Sequence, residues 1–282
     1  MTPEEKDNMS FVQKLENIIK KNNTLLCVGL DPDSNKIPKN LMSLKDPLFE
    51  FNKAIIDATH NLVCAYKPQI AGYSALGIQG LKSLLKTVSY LKKYHPDIPI
   101  ILDAKRADIG KTSEKYAEEA FDIIGADAVT LNPYFGLDAL EPFLRRKEKG
   151  IIILCRTSNP SASDFQDLKV NGEPLYLVVA KKIVEWNKKY HNCLMVVGAT
   201  WPKQLKEVRK IAPEMFLLVP GIGSQGGDLQ GTLQNGLTKN RSGLIIHTSS
   251  AIIYASSEKN FAQKAKDAAM TFKDQINKER DL

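Results

Sequence analysis

Long apolar runs are missing from this chain of 282 residues. No stretch approaches the roughly 20 consecutive apolar residues that span a bilayer, so a membrane protein is not expected. The opening MTPEEKDNMS is polar and acidic, unlike a secretory leader, and the expected location is cytoplasmic. The four cysteines, Cys27, Cys64, Cys155 and Cys193, each sit in an apolar run without a CxxC pair, so neither a disulfide framework nor a cysteine zinc site is expected. The four histidines, His60, His95, His191 and His247, are equally dispersed, and no metal site is expected. Arginine is scarce as well. Of 39 basic residues only 7 are Arg, and the lysines scatter as pairs rather than clustering with aromatics, so nucleic acid is not an expected partner. The net charge of +7 reads as a lysine-rich solvated surface that tolerates anionic small molecules.

Short apolar runs are what the chain has in quantity. TLLCVGLD (24–31), LVCAYKPQ (62–69), IPIILDAK (98–105), ADAVTLNPY (126–134), GIIILCRTSNP (150–160), CLMVVGATW (193–201), MFLLVPGIG (215–223) and GLIIHTSS (243–250) are rich in Val, Ile and Leu. Strands buried on both faces have this composition. Helical patterns separate most of them. Leu81, Leu84, Leu85, Val88 and Leu91 fit one helix face, and Ala117, Ala120, Phe121 and Ile124 another. Further helices are expected near 10–21, 48–60, 137–148, 174–190, 202–211 and 257–278. Eight strands alternating with helices predict a single (β/α)8 barrel over 1–282, an α/β fold, with an extra N-terminal helix within 1–22 across the bottom. Asn171-Gly172 marks a turn in an insertion after the fifth strand.

Such barrels carry their chemistry at the C-terminal strand ends. The polar endings fall there in register: Asp31; Lys67 and Gln69; Asp103, Lys105 and Asp108; Asn132; Thr157, Ser158 and Asn159; Thr200; Gln225; Thr248, Ser249 and Ser250. One charged strand end would be unremarkable. An acid, a lysine and an acid–lysine–acid array on three consecutive strands converge on one cavity mouth, where unpaired buried charge is very costly. The segment GIGSQG (221–226) matches G-x-G-x-x-G, yet it lies late in the chain and lacks an acidic residue about 20 positions on, which excludes a dinucleotide fingerprint. After the seventh strand of a barrel, glycines such as Gly221, Gly223, Gly226 and Gly227 suit a phosphate cradle, completed by Thr248 to Ser250 after the eighth. The stretch 225–242 is long enough to be a lid.

LLCVGLDPD, AYKPQIAGY, ILDAKRADIGKT, CRTSNPSAS and LVPGIGSQGGD, in that order, closely resemble the orotidine 5′-phosphate decarboxylases, particularly the longer bacterial type, from about Asn23 to about Tyr254. The most specific motif is D-A-K-R-x-D-I-x-x-T. The resemblance implies conversion of orotidine 5′-phosphate to UMP in pyrimidine synthesis, without cofactor or metal, by a homodimer with shared active sites. It implies that Lys105 donates the proton to pyrimidine C6 and that Asp103 faces the substrate carboxylate. It implies too that Asp31 and Lys67 surround the ribose hydroxyls and join the charge array, with Gln69 beside them. On the same resemblance Asp108 and Thr112 are expected to reach the neighbouring subunit's site. The resemblance further implies that Ser158 reads the pyrimidine edge, that Gln225 closes over the phosphate, and that Pro220, Gly226 and Ser249 complete the substrate contacts.

One position departs from the pattern. The family usually has an arginine gripping the phosphate at the start of the last helix, and Ser250 stands there. Either the grip is weaker or another cation substitutes, Lys239 and Arg241 being the candidates. Two other readings remain open at this stage. One is a metal-dependent sugar-phosphate decarboxylase, aldolase or epimerase using the same D-x-K-x-x-D frame; the other is a barrel that binds nucleotides without turnover.

Overall fold

The computed structural model describes residues 9–223 and 226–280. Eight parallel strands form one sheet: β1 (Leu26–Gly29), β2 (Ala65–Lys67), β3 (Ile101–Arg106), β4 (Ala128–Leu131), β5 (Gly150–Arg156), β8 (Cys193–Val197), β9 (Leu217–Pro220) and β10 (Leu244–Thr248). Strands β6 (Lys169–Val170) and β7 (Glu173–Pro174) make a separate antiparallel hairpin. The order β2-β1-β10-β9-β8-β5-β4-β3 brings β2 and β3 to the two edges. Tyr66 N donates to Pro99 O at 3.0 Å and Asp103 N to Pro68 O at 2.9 Å, closing the sheet into the expected barrel. Leu26 to Gly29, Ala128 to Leu131 and Cys193 to Val197 are buried at every position, as strands packed on both faces must be.

The helix Phe11–Asn22 begins where Ser10 and Gln13 form a capping box and ends at Asn23 in the left-handed region (φ 44°). Phe11, Leu15, Ile18 and Ile19 form its buried stripe. It crosses the bottom of the barrel: Phe11 N donates to Glu148 O, and Lys14 pairs with Asp127, both just ahead of strand starts. Gly150 opens β5 because Phe11 occupies the space a Cβ would need. The β6–β7 turn is Asn171-Gly172 with both φ positive (52° and 84°), the geometry a two-residue hairpin requires.

The structure corrects three expectations. Leu84, Val88 and Leu91 are buried, but Leu81 and Leu85 face outward; the inner face of the helix Gly77–Tyr94 is completed by Gly80, Ser83 and Thr87. Ser83 turns inward because it donates to Asp46 Oδ1 at 2.6 Å, which draws the helix onto the Pro47–Thr59 helix. The expected lid at 225–242 contains the helix Leu229–Gly236, capped by Asp228 and burying Thr232, Leu233 and Gly236. Its apolar stripe belongs to the outer ring of the barrel, packed against the helices Pro202–Ile211 and Phe261–Arg280. Finally, Lys239 and Arg241 precede β10 and lie at its N-terminal end. Arg241 Nε donates to Arg280 O at 2.6 Å, at the end of the helix Phe261–Arg280. The five residues of β10 put roughly 16 Å between that end and the mouth, which places both cations away from the cavity, against the expectation that one of them serves it.

Candidate active site

A cavity of about 440 Å³ opens at the C-terminal strand ends, lined by residues from seven of the eight barrel strands or the turns after them and by Thr130 of β4. One wall is charged: Asp31 after β1, Lys67 and Gln69 from β2, Asp103 and Lys105 from β3. The opposite wall is neutral: Leu154, Thr157, Ser158 and Asn159 from β5, Val196 from β8, Leu218 and Pro220 from β9. Gly221, Ile222, Thr248 and Ser249 form the end between β9 and β10.

Asp103 organises the charged wall. Its Oδ2 accepts from Lys67 Nζ at 2.7 Å; its Oδ1 accepts from Lys105 Nζ at 2.6 Å and from Thr130 Oγ1 at 2.8 Å. A regular strand would aim Asp103 and Lys105 to one side by its period of two. Here the pairing with β4 slips between Leu102 and Arg106, and Lys105 adopts φ 47°. This bulge points the Lys105 side chain back to Asp103, and Thr130 Oγ1 holds it by accepting from both Ala104 N and Lys105 N. A left-handed lysine is strained by about 1–3 kcal/mol, a conformation kept where the surroundings over-determine it.

The electrostatics follow from burial against pairing. Burial of Asp103 would raise its carboxyl, but the charges of Lys67 and Lys105 outweigh it and hold the group well below the usual carboxylate range. Burial would likewise lower Lys67, yet Asp103 and Asp31 raise it above its ordinary value. Both are therefore charged across the neutral range. Burial, then the positive charge of Lys67, pushes His247 well below the ordinary imidazole value, so it lines the cavity as a neutral ring. Its Nε2 and Thr248 Oγ1 are buried with no hydrogen-bond partner among the described residues.

The glycine-rich turn is built by close approach. Gly227 N donates to Gly221 O at 3.0 Å, and a Cβ at Gly227 would meet that carbonyl at 2.5 Å. Gly221, Gly223 and Gly226 all have positive φ (105°, 94° and 70°).

Of the residues singled out from sequence, Asp31, Lys67, Gln69, Asp103, Lys105, Ser158, Pro220 and Ser249 line this cavity together. Asp108, Thr112, Gly226 and Ser250 do not; Asp108 accepts from Ile109 N on the rim and Thr112 is exposed on the helix Gly110–Glu118. Gln225 lies outside the described residues. Thr130 and His247 were missed. Both stand inside apolar strands, Thr130 between Val129 and Leu131 and His247 between Ile246 and Thr248, with no charged neighbour to mark them. Among the described residues no group of three His, Cys, Asp or Glu side chains is placed to hold a metal ion.

The family model described as orotidine 5′-phosphate decarboxylase / HUMPS matches residues 24–265. The orotidine 5′-phosphate decarboxylase of Cellvibrio japonicus is 53% identical over 240 residues, covering 84% of this chain and 87% of that protein. The structure of the Leishmania donovani OMP decarboxylase superposes with a TM-score of 0.85 at 36% identity, covering 97% of this chain and all (100%) of that one. Leishmania donovani UMP synthase also matches, with a TM-score of 0.86 at 38% identity over 97% of this chain, which spans 57% of the length of that protein. The chain belongs to the orotidine 5′-phosphate decarboxylase / HUMPS family.

Proposed function

We propose that this barrel removes CO2 from orotidine 5′-phosphate to give UMP, in the manner of the relatives it matches. The observation that carries the reading is the Lys67–Asp103–Lys105 array at one wall of a cavity whose other wall is neutral. Breaking the bond from C6 to the carboxylate leaves an electron pair on C6 with no π system to spread it. Stabilisation then falls to fixed charge, which a preorganised site supplies without reorganising. In this reading Lys105 provides that charge and passes a proton from Nζ to C6; water reprotonates it after CO2 leaves. Asp103 holds both lysines and faces the departing carboxylate, while Asp31, Lys67 and Gln69 take the ribose side. The sugar-phosphate alternative needs D-x-K-x-x-D oxygens free for a metal, and both oxygens of Asp103 are already engaged by cations and a hydroxyl.

The active unit in this proposal is a cytoplasmic homodimer. Asp108 and Thr112 sit on a rim where apolar side chains emerge from the turns after neighbouring strands: Ile78, Ile109, Tyr134, Phe135 and Phe165 are exposed after β2, β3, β4 and β5. A second copy covering that rim would put Asp108 and Thr112 at its own cavity mouth. The test is decarboxylation itself: purified protein with no added metal should consume orotidine 5′-phosphate absorbance and release UMP and CO2 in equal amounts. No turnover, with UMP still bound, would leave a nucleotide-binding barrel.

A further inference from the structure

A fully buried cation stands directly behind the neutral wall. Arg156, the last residue of β5, has a side-chain exposure of 0%, and its only carboxylate partner among the described residues is Asp167, itself 40% exposed, at 3.1 Å. The guanidinium stacks on Trp201 at 4.3 Å and also meets the Tyr176 ring. From there it serves the turn that follows it. Arg156 Nη1 donates to Gln166 Oε1 at 3.1 Å; that same oxygen accepts from Thr157 N at 2.8 Å, while Gln166 Nε2 donates to Thr157 Oγ1 at 2.8 Å. Trp201 Nε1 donates to Thr157 O at 2.8 Å. Both backbone groups and the hydroxyl of Thr157 are thus occupied. The next residue is held from the other side: Thr200 Oγ1 donates to Ser158 O at 3.1 Å, and Gly198 has no Cβ where one would come within 2.7 Å of Ser158 Cα.

A buried arginine is an expensive way to stabilise a loop, because taking a charge out of water costs several kcal/mol unless its donors are well used. Its return is geometric. The planar fork fixes Gln166 and the ring of Trp201 relative to the end of β5, and through them Thr157 to Asn159 at the cavity. That wall is neutral, with Leu154, Val196, Leu218 and Pro220 supplying apolar surface and Ser158 and Asn159 the polar atoms. Such a surface suits the face and edge of an uncharged heterocycle and carries no cation to pair with a phosphate.

We propose that Arg156, Gln166 and Trp201 are positioning residues that preorganise Thr157–Asn159 to read the base, so that they set base recognition without touching the substrate. The proposal rests on the nucleotide reading of the cavity. Wild-type protein that fails to bind UMP would overturn that reading first.

Two competitive ligands separate the base from the rest: UMP carries it and ribose 5-phosphate does not. Gln166→Leu, which keeps the volume but removes every hydrogen bond of the amide, should weaken UMP at least tenfold and leave ribose 5-phosphate within twofold. Gln166→Glu retains acceptors for Arg156 Nη1 and Thr157 N and should recover most of the loss. Trp201→Phe removes the indole N–H while keeping an aromatic face for the guanidinium, and should give an intermediate, base-confined loss. A variant in Trp186→Phe background leaves Trp201 as the single indole of the chain, and UMP, but not ribose 5-phosphate, should shift its emission. Equal weakening of both ligands by Gln166→Leu would make the cluster a general fold element, and unchanged UMP affinity in both Gln166→Leu and Trp201→Phe would remove it from recognition. Either result overturns the proposal.

Discussion

Replacing Asp103 by asparagine tests the charged wall most directly. The substitution keeps the shape and one acceptor, but removes the charge shared by two lysines. Lys67 is 3% exposed and sits 2.7 Å from Asp103, so it is left as a buried ammonium with Asp31 as its remaining carboxylate neighbour among the described residues. Breaking one side of a buried pair costs about 3–5 kcal/mol. The residual attraction of Asp31 argues for the lower end. Lys105 is 45% exposed, and the loss of its pair adds no more than about 1 kcal/mol. The expected loss at pH 7 is therefore about 3 kcal/mol in urea unfolding at fixed protein concentration, together with loss of turnover. The pH dependence gives a sign. In the parent Lys67 is raised above 10.5, so its contribution is complete below that value and is lost as pH rises through the folded value. In the variant, burial is opposed by Asp31 alone and lowers Lys67. The unfolded chain then binds more protons, and variant stability increases with pH toward 10.5. The deficit should accordingly narrow between pH 7 and 9.5. A deficit below about 1 kcal/mol at pH 7, or one that widens with pH, would refute the reasoning.

Lys105→Ala should lower kcat at least 10²- to 10⁴-fold, the range for a positioned acid, while UMP affinity measured by calorimetry changes far less. On the proposed homodimer with shared sites, subunits carrying Lys105→Ala mixed with subunits carrying Asp108→Ala should regain activity that neither has alone, since one site of such a heterodimer would be intact; exchanged dimers with no recovery would place both residues in one subunit's site. Ser250→Arg should tighten UMP by about 10- to 100-fold, the worth of one charge-assisted grip of about 1.5–3 kcal/mol, whereas Arg241→Ala should leave KM unchanged because its guanidinium serves the opposite end of the barrel. His247→Asn should flatten the stability profile below pH 6.5: the depressed native imidazole contributes stability that is complete above 6.5 and lost as pH falls toward the folded value, at up to about 1.4 kcal/mol per pH unit. An unchanged slope in the variant would assign the acid sensitivity elsewhere.

Much of this protein is legible residue by residue. Strands buried on both faces must be continuously apolar, and eight such runs separated by amphipathic helices leave few architectures other than a closed parallel barrel. A strand also exposes its polar residues only where it ends, so Asp31, Lys67, Gln69, Asp103, Lys105 and Ser158 announced the mouth before their contacts were known. Local turn chemistry was equally plain at Asn171-Gly172.

What the linear pattern does not carry is register and distance across the barrel. Thr130 reads as one more strand residue, yet the slipped pairing of β3 with β4 makes it the hydroxyl that holds both Asp103 and the left-handed Lys105. His247 lies three residues from Ser250, but its burial beside Lys67 depends on how β10 and β1 pair. Lys239 and Arg241 look adjacent to the phosphate end along the chain, and a parallel strand of five residues carries them to the far face instead. Sequence chooses which groups are present at each strand end. The closure of the sheet, which joins residues 36 apart as Lys67 and Asp103, decides which of them meet.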